Sequence, residues 1–237
     1  MTVGSSDGVL ELLRCGEMEI LGLLPYASNA TLLSRVREGD DEALAVYKPR
    51  RGERPLWDFP DGTLCLREFA AYVVDRALGW ELVAPTVLRE GPAGFGAVQL
   101  WVDEDQEVDV RELFRTHPRD LARVALFDVI VNNADRKAGH LVVDADRKLW
   151  SVDHGICFSA EPKLRTVIWT FEGDPVDPLL LADLEALDRS LETFTALERL
   201  LSTGEIAALR ARIETVLRTK RYPSPSPGQR HVPWPPW

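Results

Sequence analysis

The stretch covering residues 127–155, FDVIVNNADRKAGHLVVDADRKLWSVDHG, constrains this chain more than any other, because short turns and a hairpin inside it can gather Asp135, His140 and Asp153. Before it, residues 119–133 are almost continuously apolar from Val124 to Val131. That is long enough for a buried helix, with Pro118 at its first turn, where the missing N–H is no loss. The pattern ends at Asn132 and Asn133 and hands the chain to Asp135. Residues 141–143 and 149–152 are short β-type runs on either side of Asp144-Ala145-Asp146-Arg147, a spacing that predicts a hairpin. Its second strand delivers Asp153-His154-Gly155. The layout is that of a site: an acidic residue in a loop after a buried helix, then a hairpin, then a second acidic residue before a glycine.

With 237 residues the chain can bury a full core, and that length suits one domain of two lobes. A formal net charge of -10 argues against binding nucleic acid by phosphate neutralisation and against docking on an anionic membrane. Cys15, Cys65 and Cys157 are odd in number and widely spaced, so neither a disulfide framework nor a zinc site is expected, and a reducing cytoplasm is the simplest location. No apolar run has the length of a bilayer span, and the first residues lack the basic start of a secretion signal.

In chain order, residues 9–14 fit a helix or a first strand. Residues 17–24 and 31–36 are strand-like around Pro25-Tyr26-Ala27-Ser28-Asn29-Ala30, which predicts a hairpin with a polar tip. Residues 43–48 alternate and end in Lys48-Pro49, so Lys48 stands at a strand end where a solvated charge is the ordinary outcome. Thr63 can cap a helix to about Leu78, with Gly79 past its end and a buried stripe of Leu66, Phe69, Ala70, Val73 and Ala77. Glu68 lies beside that stripe, either facing inward at the core margin or standing as a surface charge. The segment RRGERPLWDFPDGT between them is an ordered loop packed through Trp57 and Phe59. Residues 83–88 and 97–102 are the next strands, and Gln99-Leu100-Trp101-Val102 then gives way to acidic DEDQEVD, which suggests a crossing between lobes. Residues 157–178 have the length of a specificity loop. Helical patterns follow over 178–187, 190–201 and 204–218, and the Pro- and Ser-rich segment 222–237 is expected to be extended or disordered.

Asp135-Arg136-Lys137-Ala138-Gly139-His140 resembles the DRHxxN loop of the phosphatidylinositol 3- and 4-kinase superfamily, and Asp153-His154-Gly155 resembles its DFG-type metal motif. The whole chain is similar to the small actinobacterial branch of that superfamily and distantly to the HipA-type kinases. The resemblance implies an α+β, two-lobed protein-kinase-like fold. It divides into a β-rich N-terminal nucleotide lobe (1–102), a mainly helical C-terminal lobe (103–221) and the tail (222–237). It also implies ATP with Mg²⁺ or Mn²⁺ as cofactors. By the same resemblance Ser28 and Asn29 cover the phosphates and Lys48 pairs with Glu68 to hold them. Gln99, Leu100, Trp101 and Val102 then line the adenine, Asp135 orients or deprotonates the acceptor, and Asp153 and His140 take the metal. Two departures stand out: His140 replaces a metal-binding Asn, and Lys137 replaces a His.

These residues suit phosphoryl transfer because that reaction asks for metal-bound phosphates, a carboxylate at the attacking oxygen and nearby positive charge. The acceptor expected is a protein side chain or small metabolite; a phosphoinositide is disfavoured by the acidic chain and the lack of a basic membrane-facing helix. Alternatives are a nucleotide-binding regulatory pseudokinase with little turnover, and transfer of AMP to protein. If His140 ligates, its metal response should fall near the reference pKa of about 6.5, since a ligating imidazole must be neutral.

Overall fold

The computed structural model describes residues 6–25, 29–191, 194–225, 228 and 230–236. A helix, Ser6–Cys15 (α1), precedes strands Glu17–Leu23 (β1), Leu32–Glu38 (β2) and Asp41–Pro49 (β3). Helix Leu64–Leu78 (α2) follows, then strands Thr86–Gly91 (β4) and Gly94–Leu100 (β5). All neighbouring strands are antiparallel and the sheet order is β1-β2-β3-β5-β4, so β3 is central. Leu12 and Leu13 of α1 bury against Val36, Ala43, Ala45, Tyr47 and Val98 beneath the sheet.

Lys48 is paired with Ala97, and the ladder continues through Pro49 opposite Gly96. Pro49 therefore does not interrupt β3 as the sequence suggested; it sits at the last rung. Gly96 makes this approach possible, because a Cβ there would lie 2.4 Å from the Lys48 carbonyl oxygen and 2.7 Å from Pro49 Cα.

Helix α2 ends on Gly79 in the left-handed conformation (φ 67°), as glycine past a periodic run predicts. Its start and its buried face differ from the sequence reading. Thr63 makes no capping bond; the Glu53 carboxylate accepts the N–H groups of Leu64 and Cys65 instead. The buried face carries Arg67, Glu68, Ala71, Val74 and Asp75, while Ala77 is exposed. Apolar periodicity missed this face because polar side chains with defined partners occupy it. Arg67 donates to the Cys157 carbonyl and pairs with Glu205, and Asp75 accepts the N–H groups of Leu82 and Val83.

The second part of the chain is mainly helical: Leu113–Thr116 (α3), Pro118–Val131 (α4), Pro178–Leu191 (α5), Thr195–Glu198 (α6) and Thr203–Thr219 (α7). The helix expected over 190–201 is thus only the single turn α6. A hairpin of Leu141–Val143 (β6) and Leu149–Ser151 (β7) follows α4. Its turn is held by Asp144, whose carboxylate accepts Asp146 N–H, Lys148 N–H and Trp150 Nε1–H. α2, α4, α5, α7 and the hairpin share the larger core around Leu126, Phe127, Ile130 and Leu184. In the loop before α2, Phe59 is buried under the Arg67 guanidinium, but Trp57 is 91% exposed.

Segment 222–236 departs most from expectation. Tyr222 is buried and donates its hydroxyl to the Ala122 carbonyl. His231 and Pro236 are hydrogen-bonded to the body through their carbonyls, and Pro233 is buried, whereas Trp234 is 77% exposed. Docking thus runs through main chain, proline rings and the His231 ring, which meets Trp169 edge-on at 5.9 Å, and Trp237 lies outside the described residues.

Candidate active site

Glu68 is the point where the two halves of the chain meet. Its carboxylate, with no solvent exposure, accepts Lys48 Nζ at 2.8 Å and the His154 backbone N–H at 3.1 Å. Lys48 Nζ reaches on to Asp153 Oδ1 at 3.0 Å. One ammonium therefore lies between a buried carboxylate of α2 and a half-exposed carboxylate of the loop after β7. Burial alone would lower the Lys48 pKa, but Asp153 and Glu68 reverse that and hold it above the ordinary range. Lys48 in turn holds Asp153 well below the usual carboxylate range. Asp153 takes φ +61°, a left-handed conformation tolerated best by Asp, Asn and Gly.

This geometry makes a double-mutant cycle informative. Lys48→Met and Glu68→Gln should each weaken ATP affinity by roughly 1.5–3 kcal/mol, the worth of a hydrogen bond to a charged group. Because the residues touch, the double variant should lose little more than the worse single one, a coupling of about 0.5–3 kcal/mol. Calorimetric titration of the four proteins tests this, and simple additivity would leave the two as independent charges.

His140 Nε2 lies 3.5 Å from Asp153 Oδ2. Burial lowers the His140 pKa to about 4, so the ring is neutral well below the pH near which a metal response was expected to fall. Its Nδ1 faces the Lys137 N–H at 3.4 Å as acceptor, which leaves the ring proton on Nε2, toward Asp153. In that tautomer His140 presents a proton to the carboxylate; to ligate through Nε2 it must carry its proton on Nδ1 and release Lys137. Among the described residues no group of three or more His, Cys, Asp or Glu gathers as a metal cage. A carboxylate is the hard oxygen donor that an ion such as Mg²⁺ prefers, so Asp153 is the residue here that could hold one, with waters and phosphate oxygens in its other positions.

Asp135 is held by its own N–H on Asn133 Oδ1 and by Lys137 Nζ at 3.1 Å. Burial raises its pKa, against the opposing pull of Lys137, so the carboxylate is more basic than a solvated one. Sequence reasoning gave Arg136 no role, yet it is the keystone of the loop. Fully buried, it donates through Nε and Nη2 to Asp128 at 3.0–3.1 Å, and through Nη1 to the Val152 carbonyl at 2.8 Å. Its Nη2 also meets His154 Nε2 at 2.9 Å. A guanidinium has only donors, so His154 Nε2 accepts and its proton sits on Nδ1. That neutral ring packs edge-on against Phe127, centroids 5.6 Å apart. The signal available in the sequence was Asp128 itself: a carboxylate inside an apolar helical run demands a buried partner.

The nucleotide positions are less uniformly assembled. Ser28 lies outside the described residues. Asn29 Oδ1 accepts Arg54 N–H, which ties the β1–β2 connection to the loop before α2. Gln99 is buried and donates to Thr86 Oγ1, so its side chain serves the sheet and not the cleft. Leu100 N–H donates to the Pro85 carbonyl and Trp101 N–H to the Leu44 carbonyl. Both amides are committed to main-chain carbonyls of neighbouring segments. Trp101 is partly exposed and donates its indole N–H to Asp103.

No family model matches the chain. It is 28% identical over 177 residues to phosphatidylinositol 4-kinase gamma 4 of Oryza sativa subsp. japonica, covering 63% of this chain and 31% of the rice protein. Among solved structures it is similar to the Golgi casein kinase (TM-score 0.55, 15% identity, 90% of this chain and 75% of that one). It is also similar to the Helicobacter pylori proinflammatory kinase CtkA (TM-score 0.52, 11% identity, 89% and 94%). These likenesses establish a protein-kinase-like α+β fold, with an antiparallel sheet and a helical part. Protein Rv2133c of Mycobacterium tuberculosis is 40% identical over 261 residues, spanning 94% of each chain, so this chain belongs to the Rv2133c family.

Proposed function

We propose that the protein is an ATP- and divalent-metal-dependent phosphotransferase whose acceptor is a protein side chain or small metabolite, with 1–102 as nucleotide lobe and 103–221 as catalytic lobe. The observation that carries this reading is the Lys48 ammonium held between Glu68 and Asp153. A cation fixed by a buried carboxylate at the edge of a cleft is what nucleotide phosphates require. Asp153 would hold the metal, with His140 beside it; when bound, that ion would offset phosphate charge. Asp135 would take the acceptor hydroxyl proton as the oxygen attacks the γ-phosphorus and ADP leaves. Its raised pKa suits that role, since proton acceptance improves as basicity approaches the working pH.

The phosphoinositide reading remains disfavoured by the net charge of -10, which opposes an anionic membrane surface. A second reading, a nucleotide-binding regulator with little turnover, draws on Lys137, whose ammonium already engages Asp135. Intact-mass spectrometry after incubation with ATP and Mg²⁺ separates the possibilities. Added phosphate is the expected result; added AMP would replace phosphotransfer by nucleotidyl transfer. No change in mass, together with ATP-induced thermal stabilisation, would favour the regulator.

A further inference from the structure

Residues 165–167 lie between the catalytic loop and segment 230–236. On one edge, Arg136 N–H donates to the Arg165 carbonyl at 2.9 Å and Val167 N–H to the Arg136 carbonyl at 3.1 Å, a parallel bridge centred on Thr166. Main-chain groups alternate along an extended strand, so the Thr166 N–H points to the other edge. There it donates to the His231 carbonyl at 3.0 Å, and Trp169 Nε1–H donates to the same oxygen at 2.9 Å. Farther along, the Pro236 carbonyl accepts Ala138 N–H at 2.9 Å, three residues from Asp135. Pro236 also lines a cavity of about 170 Å³ with Leu113, Phe114, Leu141 and Ile168.

All three donors belong to the catalytic loop or the long segment after Gly155, and both acceptors, the His231 and Pro236 carbonyls, are main-chain groups of 230–236. Hydrogen bonds to main-chain carbonyls are how a peptide adds to an exposed strand edge, and here the His231 ring also meets the Trp169 ring edge-on, centroids 5.9 Å apart. The segment supplying them bends at Val232, Trp234 and Pro235, and its prolines fix φ in the free chain too, so less conformational entropy is lost on docking or regained on release.

We propose that Thr166, Trp169 and Ala138 form a docking strip for an extended segment of a protein acceptor, and that residues 230–236 fill it in cis until the acceptor displaces them. This rests on the phosphotransferase reading and narrows its acceptor to a polypeptide. A tethered copy acts at an effective concentration on the order of millimolar, so a free peptide competes poorly until the tether's grip is loosened.

The test uses the full chain carrying Pro233→Asp, which sets a charge where a buried proline ring now packs and leaves Thr166, Trp169 and Ala138 themselves unchanged. The probe is the synthetic peptide RHVPWPP, followed by fluorescence anisotropy and by hydrogen exchange at the Thr166 and Ala138 amides. Exchange at both amides should rise about tenfold or more over the parent, given a millimolar tether. The peptide should bind the variant at least about tenfold more tightly than the parent and restore protection. ATP-dependent phosphorylation of a degenerate Ser/Thr peptide mixture should rise while ATP-induced thermal stabilisation stays constant. Trp169→Phe, which keeps the ring and loses the donor, should weaken peptide binding when combined with Pro233→Asp. Failure of the peptide to bind a variant whose amides have opened overturns the strip, and a fall in peptide phosphorylation makes 230–236 a scaffold of the catalytic loop. Absence of ATP stabilisation in every protein would overturn the phosphotransferase reading while leaving the exchange and anisotropy results to decide the strip.

Discussion

Arg136→Met is expected to lower folding stability by about 3–5 kcal/mol, the cost of leaving one member of a buried ion pair uncompensated. Asp128 and Arg136 have no solvent exposure, so no water replaces the guanidinium when it goes. Asn133 Nδ2 and Thr166 Oγ1 still donate to Asp128, which softens the loss without removing the charge. The Val152 carbonyl and His154 Nε2 lose a donor in the same step. Arg136→Lys should recover only part of the loss, because one ammonium cannot serve Nε, Nη1 and Nη2 directions at once. Asp128→Leu combined with Arg136→Met should be less damaging than Arg136→Met alone, since it removes the stranded carboxylate. Urea denaturation of the three variants beside the parent measures this; a loss below about 1 kcal/mol for Arg136→Met would show the pair to be solvated in practice.

The same network explains which parts of the molecule were legible in the sequence. Helix α4 and hairpin β6–β7 were, because an apolar run with Pro at its start and a four-residue acidic turn are local signals that tertiary packing did not contradict. The Lys48–Glu68 pair was expected from the family resemblance and is present in the structure, whereas the further reach of Lys48 to Asp153 was not foreseen. The inward face of α2 was misjudged by periodicity, since Arg67, Glu68 and Asp75 are buried by partners 7 to 138 residues away. No local pattern encodes a partner that distant. The docking of 230–236 was invisible for a related reason: its hydrogen bonds to the body are accepted by carbonyl oxygens, which every residue owns.

Asp135→Asn is expected to reduce phosphoryl transfer by about 10²- to 10⁴-fold, the usual contribution of a positioned general base. ATP affinity should stay close to that of the parent, because Asp135 contacts Lys137 and Asn133 and not the Lys48 pair. The amide is nearly isosteric, and Asn133 can still accept the residue 135 N–H, so the loop should keep its shape. Asp153→Asn should behave in the opposite way. It removes the carboxylate that Lys48 reaches at 3.0 Å and that is the strongest donor for a divalent ion, so Mg²⁺-dependent stabilisation by ATP should be largely lost. Transfer then falls as a consequence of lost binding. Thermal-shift titrations with ATP and Mg²⁺, run beside single-turnover transfer assays, separate the two effects. Equal losses of binding in both variants would merge their roles. Parent-like metal-dependent stabilisation in Asp153→Asn would remove Asp153 from the metal site and leave Lys48 as the sole anchor for the phosphates.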